Sequence, residues 1–293
     1  MSCTGVNEMS RRFEDRWLEV VPHNQPVLRE TGRLGLDEKQ KERFRELEKS
    51  GYLQQVREFA MARCVPFFWS TQEAGQPPRL LHNGTICYVD TGQRQIGITN
   101  NHVYQQYIDD LANFPNVEAQ FNGNTIKPET RLIDRNKNLD LATFDVPAIF
   151  VSSSTRNLLH HKPAGWPPPP VTSGDLVLYG GYPGELKEIS PGQAEFPFQS
   201  FIWRPTDITN ANIVLHVDFP NLFWPGHEEE KINEKLGGIS GGPVFRITEH
   251  LDQPEKRVYY ELVGIVYEIH ESLEVVRARR IRHVLADGTL VPL

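Results

Sequence analysis

The chain reads as an all-β body preceded by a helical segment and closed by a short C-terminal helix. Many short segments from residue 84 onward either alternate apolar with polar residues or run apolar for five or six positions, the two patterns of half-buried and fully buried strands. Turn signals such as Thr91-Gly92 and Asn122-Gly123-Asn124 separate these segments. Ahead of residue 75 the apolar spacing changes to three and four, the period of a helix face. The resulting division is a helical segment over 1–75 and a body over 76–293, with a first half at about 80–160 and a second at about 171–293.

Glu8 to Val21 and Asp37 to Cys64 carry the helical pattern, with Phe13, Trp17, Leu18 and Val21 on one face and Phe44 and Leu47 on another. Asp37 with Gln40 three residues on fits a capping box, and Gly51 fits a helix stop before Tyr52 opens a further apolar face through Leu53, Val56 and Phe59. Pro22 to Leu36 reads as a loop. Two uses stay open for this segment: an appendage packed on the body, or a docking module for a regulatory partner. Pro66-Phe67-Phe68-Trp69 reads as core, followed by a polar linker ending in Pro77-Pro78.

Gly84 to Val89 and Gln95 to Thr99 form a hairpin across Thr91-Gly92. Residues 116–133 hold further short strands, and Leu139 to Val146 closes the first half. Leu159 to Lys162 and Pro167 to Pro170 make a stiff connector, because consecutive prolines favour polyproline II geometry. His160 and His161 lack neighbouring ligands and read as surface residues. Ser173 to Gly184 opens the second half, Ile213 to Val217 and Glu261 to Tyr267 add strands, and Ile281 to Leu285 reads as the terminal helix.

Composition narrows the function classes. A net charge of -7 and a pI near 5.8 give no general attraction to phosphate backbones or anionic lipid, so neither nucleic acid nor membrane is an expected partner. Cys3, Cys64 and Cys87 are too few and too scattered for a disulfide framework or a zinc site, and read as thiols of a reducing compartment. The N-terminus has no apolar signal core, and no run approaches the ~18 apolar residues of a membrane span. The expected location is cytoplasmic, and neither cofactor nor metal is expected.

One stretch carries chemistry. In Gly237-Gly238-Ile239-Ser240-Gly241-Gly242-Pro243 a serine is hemmed in by glycines, which let backbone approach a substrate closely and leave bare N–H groups for a developing negative charge. Ser240 is the candidate nucleophile, Gly238 and Ser240 the candidate oxyanion-hole donors. A serine needs a base, and the base an orienting acid. His102 stands where the apolar run Ile96 to Thr99 gives way to a short helix, and Asp140 stands between leucines in an apolar strand. Asp134 and Asp145 are the nearby competitors for the acid; Asp134 opens a polar turn, and Asp145 follows the leucine-flanked pattern.

In the order His102, Asp140, Ser240 these residues resemble the chymotrypsin-fold, trypsin-like serine proteases. The nearest likeness is to the bacterial high-temperature-requirement proteases: Thr99 to Val103 matches their T-N-N-H-V, Asp140-Leu141-Ala142 their D-L-A, and Gly238 to Pro243 their G-x-S-G-G-P. The likeness covers roughly residues 80–293 and implies two six-stranded antiparallel β-barrels, with the triad acting on protein or peptide substrates. About 50 residues follow Ser240, too few for the peptide-binding PDZ domain those proteases usually append.

The departures from the family matter. Ile239 replaces the aspartate that digestive members pair with a freed N-terminus, so their activation switch is not expected. Six residues before Ser240, at the base of the primary specificity pocket in those relatives, stands Glu234, which reads equally as pocket floor or as part of the solvated run Glu228 to Lys235. Tyr267 follows Gly264-Ile265-Val266 where open-pocketed members carry small residues, which makes it a candidate substrate contact and implies a narrow pocket. Two functions remain open: a serine endopeptidase, or a catalytically silent protease homologue that binds or regulates.

Overall fold

The computed structural model describes residues 51–71, 79–121, 124–146, 159–160, 165–190, 193–217, 236–250 and 257–292, together with 42 and 49. Two antiparallel sheets dominate. The first is built from β1 (Cys64–Thr71), β2 (Arg79–Asp90), β3 (Gln95–Thr99), β4 (Val117–Phe121), β5 (Asn124–Ile126), β6 (Leu132–Asn136) and β7 (Leu141–Asp145) in the order β5-β4-β1-β2-β3-β7-β6, with β8 (Leu159–His160) pairing parallel to β2. The second comprises β9 (Leu176–Gly181), β12 (Gln199–Trp203), β13 (Asp207–Ile208), β14 (Asn212–His216), β15 (Pro243–His250), β16 (Arg257–His270) and β17 (Val275–Arg280), in the order β12-β9-β15-β16-β17-β14-β13. A separate hairpin joins β10 (Glu188–Ser190) to β11 (Gln193–Glu195). The helices α1 (Tyr52–Met61) and α2 (Asn101–Asn113) accompany the sheets, and a 3-10 turn over Ile281–His283 stands where a terminal helix is expected.

Three apolar clusters hold this together. One lies within the first sheet and against α2, where Phe67, Trp69, Tyr104, Tyr107, Phe121 and Phe144 meet; the edge-on contacts of Phe67 with Phe121 and of Tyr104 with Phe144 have the geometry aromatic pairs prefer. A second fills the second sheet around Val177, Tyr179, Ile213, Ile239 and Val266. The third joins the sheets: Cys64, Cys87, Ile96 and Ile98 of the first pack with Leu178, Phe245, Leu262 and Ile265 of the second. Helix α1 belongs to this junction, with Phe59 stacked 3.9 Å from Tyr260 and edge-on to Phe245, and Arg57 donating to the Phe198 carbonyl at 3.0 Å.

The segment boundary expected at residue 75 moves. Helix α1 ends at Met61, and Cys64 begins a strand placed centrally in the first sheet, paired with β2 on one side and β4 on the other. The sequence hid this because both faces of β1 are covered: Val65, Phe67 and Trp69 point into the first-sheet cluster, while Cys64 enters the junction and Phe68 meets Phe196. A strand buried on both faces loses the alternation by which strands are recognised. Gly51 sits in the left-handed region (φ 77) at the start of α1, where the break before Tyr52 is expected. The helical pattern over Glu8 to Val21 and the capping box at Asp37 lie outside the described residues. A chain starting after residue 75 lacks β1, and it is expected to lose the cooperative thermal transition that the full chain shows by circular dichroism.

Candidate functional site

The site is assembled where the two sheets meet. Strand β3 ends at Thr99 and Asn100 turns the chain into α2, placing His102 in the first helical turn. Asparagine at a helix start commonly caps the helix with its own side chain. Asn100 instead donates Nδ2 to the backbone oxygen of Asp140 at 2.9 Å, and Asp140 does the capping from outside: its Oδ1 accepts the His102 N–H at 2.9 Å. A carboxylate is well placed there, because the exposed N–H groups of a helix start favour negative charge. The other oxygen, Oδ2, lies 2.7 Å from His102 Nδ1. Among the described residues Nε2 of that ring has no partner.

Asp140 ends the turn between β6 and β7 rather than lying inside the strand, and it adopts a left-handed backbone (φ 53), which aspartate tolerates better than most residues. Its neighbours Leu139 and Leu141 are fully buried and anchor the turn from both sides. The competing acids are engaged elsewhere. Asp145 pairs with Arg94 at 2.9 Å and Arg131 at 3.7 Å, and Asp134 accepts the backbone N–H groups of Leu290 and Arg135.

Ser240 arrives from the second sheet on the loop before β15. The Ser240 carbonyl accepts the Thr85 N–H of β2 at 2.8 Å. Thr85 also donates its hydroxyl to the Gly238 carbonyl at 2.9 Å, accepts the Tyr182 N–H at 3.0 Å, and takes the Thr99 hydroxyl on its own carbonyl at 2.6 Å. One threonine thus ties together the serine loop, the residue that follows β9 and the strand that delivers His102. Beside it, Gly84 makes room: a Cβ there would lie 2.6 Å from Val103 Cγ1 and 3.4 Å from the Ser240 carbonyl, so the first turn of α2 and the serine loop converge on that glycine.

The serine loop spends four of its N–H groups on internal partners. Leu236 donates to Glu271, Ile239 to Leu236, Gly241 to Val266 and Gly242 to Ile239. Among the described residues, the N–H groups of Gly238 and Ser240 have no acceptor, and neither has that of Gly237, which is exposed to solvent. Gly238 has φ 102, and a Cβ on it would stand 2.6 Å from the Tyr182 carbonyl, so only glycine fits. Gly241, at φ 89, leaves no room for a Cβ against the Thr85 carbonyl. Gly241→Ala is therefore expected to cost about 3 kcal/mol or more, from the strained φ plus a backbone clash, visible as a large fall in the thermal midpoint.

Tyr267 packs against Arg279. Its ring lies 4.8 Å from the Arg279 guanidinium. Burial pushes its hydroxyl above the usual phenol range; Arg279 and Arg277 pull the other way, while the charges of Glu268 and Asp140 add to the rise. Glu234 lies outside the described residues. Sequence reasoning passed over Asn83, Thr85, Asn100 and Arg279. Asn83 donates Nδ2 to the Tyr182 carbonyl at 3.0 Å and lines the space where a Gly238 side chain would sit. Among the described residues, no group of three or more His, Cys, Asp and Glu side chains is arranged to hold a metal ion, and no helix is long and apolar enough to cross a membrane.

No family model matches the chain, and no curated protein matches it. A solved structure from work on aromatic interactions driving the coupled folding and binding of the intrinsically disordered Sesbania mosaic virus VPg protein is similar over 76% of this chain and 87% of its own, at 14% identity and a TM-score of 0.40. That likeness is too distant to carry a conclusion about fold or chemistry.

Proposed function

We propose that the chain is a serine endopeptidase of the trypsin-like kind, its two sheets being the two barrels of that fold. The observation that carries the reading is the His102–Asp140 pair: both carboxylate oxygens are spent on one histidine, whose Nε2 has no partner among the described residues. With Nδ1–H held by Oδ2, the neutral tautomer presents a lone pair on Nε2, the form needed to take a proton from a serine. Ser240 Oγ attacks the peptide carbonyl as its proton passes to Nε2. The tetrahedral oxyanion is received by the N–H groups of Gly238 and Ser240, and His102 then returns the proton to the leaving amine. Water repeats the sequence on the acyl-enzyme and releases Ser240. No step needs a cofactor or metal.

The test is covalent labelling by a fluorophosphonate probe, with the modified peptide located by mass spectrometry, alongside cleavage of a peptide library. A single adduct on Ser240 with peptide turnover is the expected result. A well-folded protein that neither labels nor cleaves returns the silent-homologue reading.

A further inference from the structure

We propose that Arg279 positions the acid of this site from the opposite sheet, and this rests on the reading of His102 and Asp140 given above. Arg279 lies on β17, across from Ile265 of β16 and Asn212 of β14. It is 7% exposed, and a buried cation is costly unless its donors are satisfied. Among the described residues it has no carboxylate in contact. Its Nε donates to the Leu139 carbonyl at 2.7 Å, Nη2 reaches the Asn138 carbonyl at 3.4 Å, and Nη1 donates to Asn212 Oδ1 at 2.9 Å, while the Tyr267 ring lies 4.8 Å away.

The two carbonyls belong to the residues immediately before Asp140, and the covalent geometry makes that significant. The Leu139 carbonyl and the Asp140 N–H share one rigid peptide plane. Arg279 holds the oxygen of that plane, and the Lys137 carbonyl accepts its N–H at 3.3 Å. Asn100 holds the oxygen of the next plane, that of Asp140 itself. Both planes flanking the Asp140 Cα are therefore pinned, and the unusual φ of 53 between them is fixed. The direction of the carboxylate follows from the direction of the backbone. Arginine suits this work because its planar fork engages neighbouring acceptors in a set geometry, which a lysine ammonium cannot reproduce. Since Arg279 comes from the second sheet and Asp140 from the first, the same contact makes the acid's placement depend on how the sheets are docked.

The experiment compares full-length wild type with Arg279→Met, Arg279→Lys and Asn212→Ala. It measures thermal melting, the rate of fluorophosphonate labelling, and the far-downfield proton resonance of His102 Nδ1–H, which reports the short bond to Asp140 whether or not anything is cleaved. Arg279→Met is expected to label on the order of 10²-fold more slowly, the cost of a displacement of about 1 Å at a catalytic group, and to lose or shift the downfield resonance. Arg279→Lys should recover part of both, and Asn212→Ala, which removes one acceptor from the guanidinium, should show a smaller loss of each. A folded Arg279→Met with wild-type labelling and an intact resonance overturns the proposal. If Arg279→Met does not fold, an unaltered resonance in Asn212→Ala overturns it instead. If the wild type carries the resonance yet does not label, the hydrolase reading falls, and loss of the resonance in the variants still upholds the positioning.

Discussion

Ser240→Ala is expected to reduce peptide turnover by on the order of 10⁶-fold and to abolish fluorophosphonate labelling. The loop that carries this residue is held by its backbone: the Ser240 carbonyl accepts from Thr85, and the neighbouring Gly241 and Gly242 are locked to Val266 and Ile239. Removing one partly exposed hydroxyl disturbs none of those bonds, so the thermal midpoint should stay close to wild type, within the roughly ±0.5 kcal/mol of a substitution that breaks no packing. The N–H groups of Gly238 and Ser240, which have no acceptor among the described residues, survive in the variant. Residual rate enhancement of about 10³- to 10⁴-fold over water is therefore still expected from oxyanion binding alone. Undiminished labelling of the alanine variant would place the nucleophile elsewhere.

The second large effect concerns the acid. His102 offers two donors to this position, its backbone N–H and its Nδ1–H, and Asp140 meets them with two acceptor oxygens. Asparagine has one. In Asp140→Asn either the helix start loses its cap, or the new amide N–H faces Nδ1 and drives the ring proton to Nε2, where it blocks the uptake of a proton from Ser240. Turnover should fall by about 10⁴-fold. The fold should hold, because asparagine tolerates the left-handed backbone of residue 140 as readily as aspartate does. Asp145→Asn and Asp134→Asn provide the contrast. The first weakens a half-exposed pairing with Arg94 and Arg131, and the second touches two backbone donors, so both should alter stability slightly and turnover by no more than a few-fold. A comparable loss of turnover in a folded Asp134→Asn or Asp145→Asn would move the acid to that residue.

The amino-acid sequence by itself determined the local backbone settings of the residues proposed to carry chemistry. Glycines around Ser240 announce a backbone that needs positive φ and close approach, and Gly238 and Gly241 have both. The alternation in residues 84–99 determined a hairpin ending beside His102, and the leucines flanking Asp140 are both buried, as their apolar character requires. What these local signals could not convey is how distant segments meet. Strand β1 was hidden because both its faces are buried, and a periodicity argument detects a strand by the difference between its faces. Arg279 reaches a carbonyl 140 positions away, and Thr85 a carbonyl 153 positions away; no spacing rule links residues so far apart, since each looks locally like an ordinary member of its strand. The substrate role for Tyr267 rests on the resemblance to open-pocketed proteases, and its ring lies 4.8 Å from Arg279, a neighbour the sequence does not indicate. Sequence thus specified which groups are present and which backbone shapes they require, and the docking of the two sheets decided which of them touch, because contact between remote segments is set by the packing of whole faces.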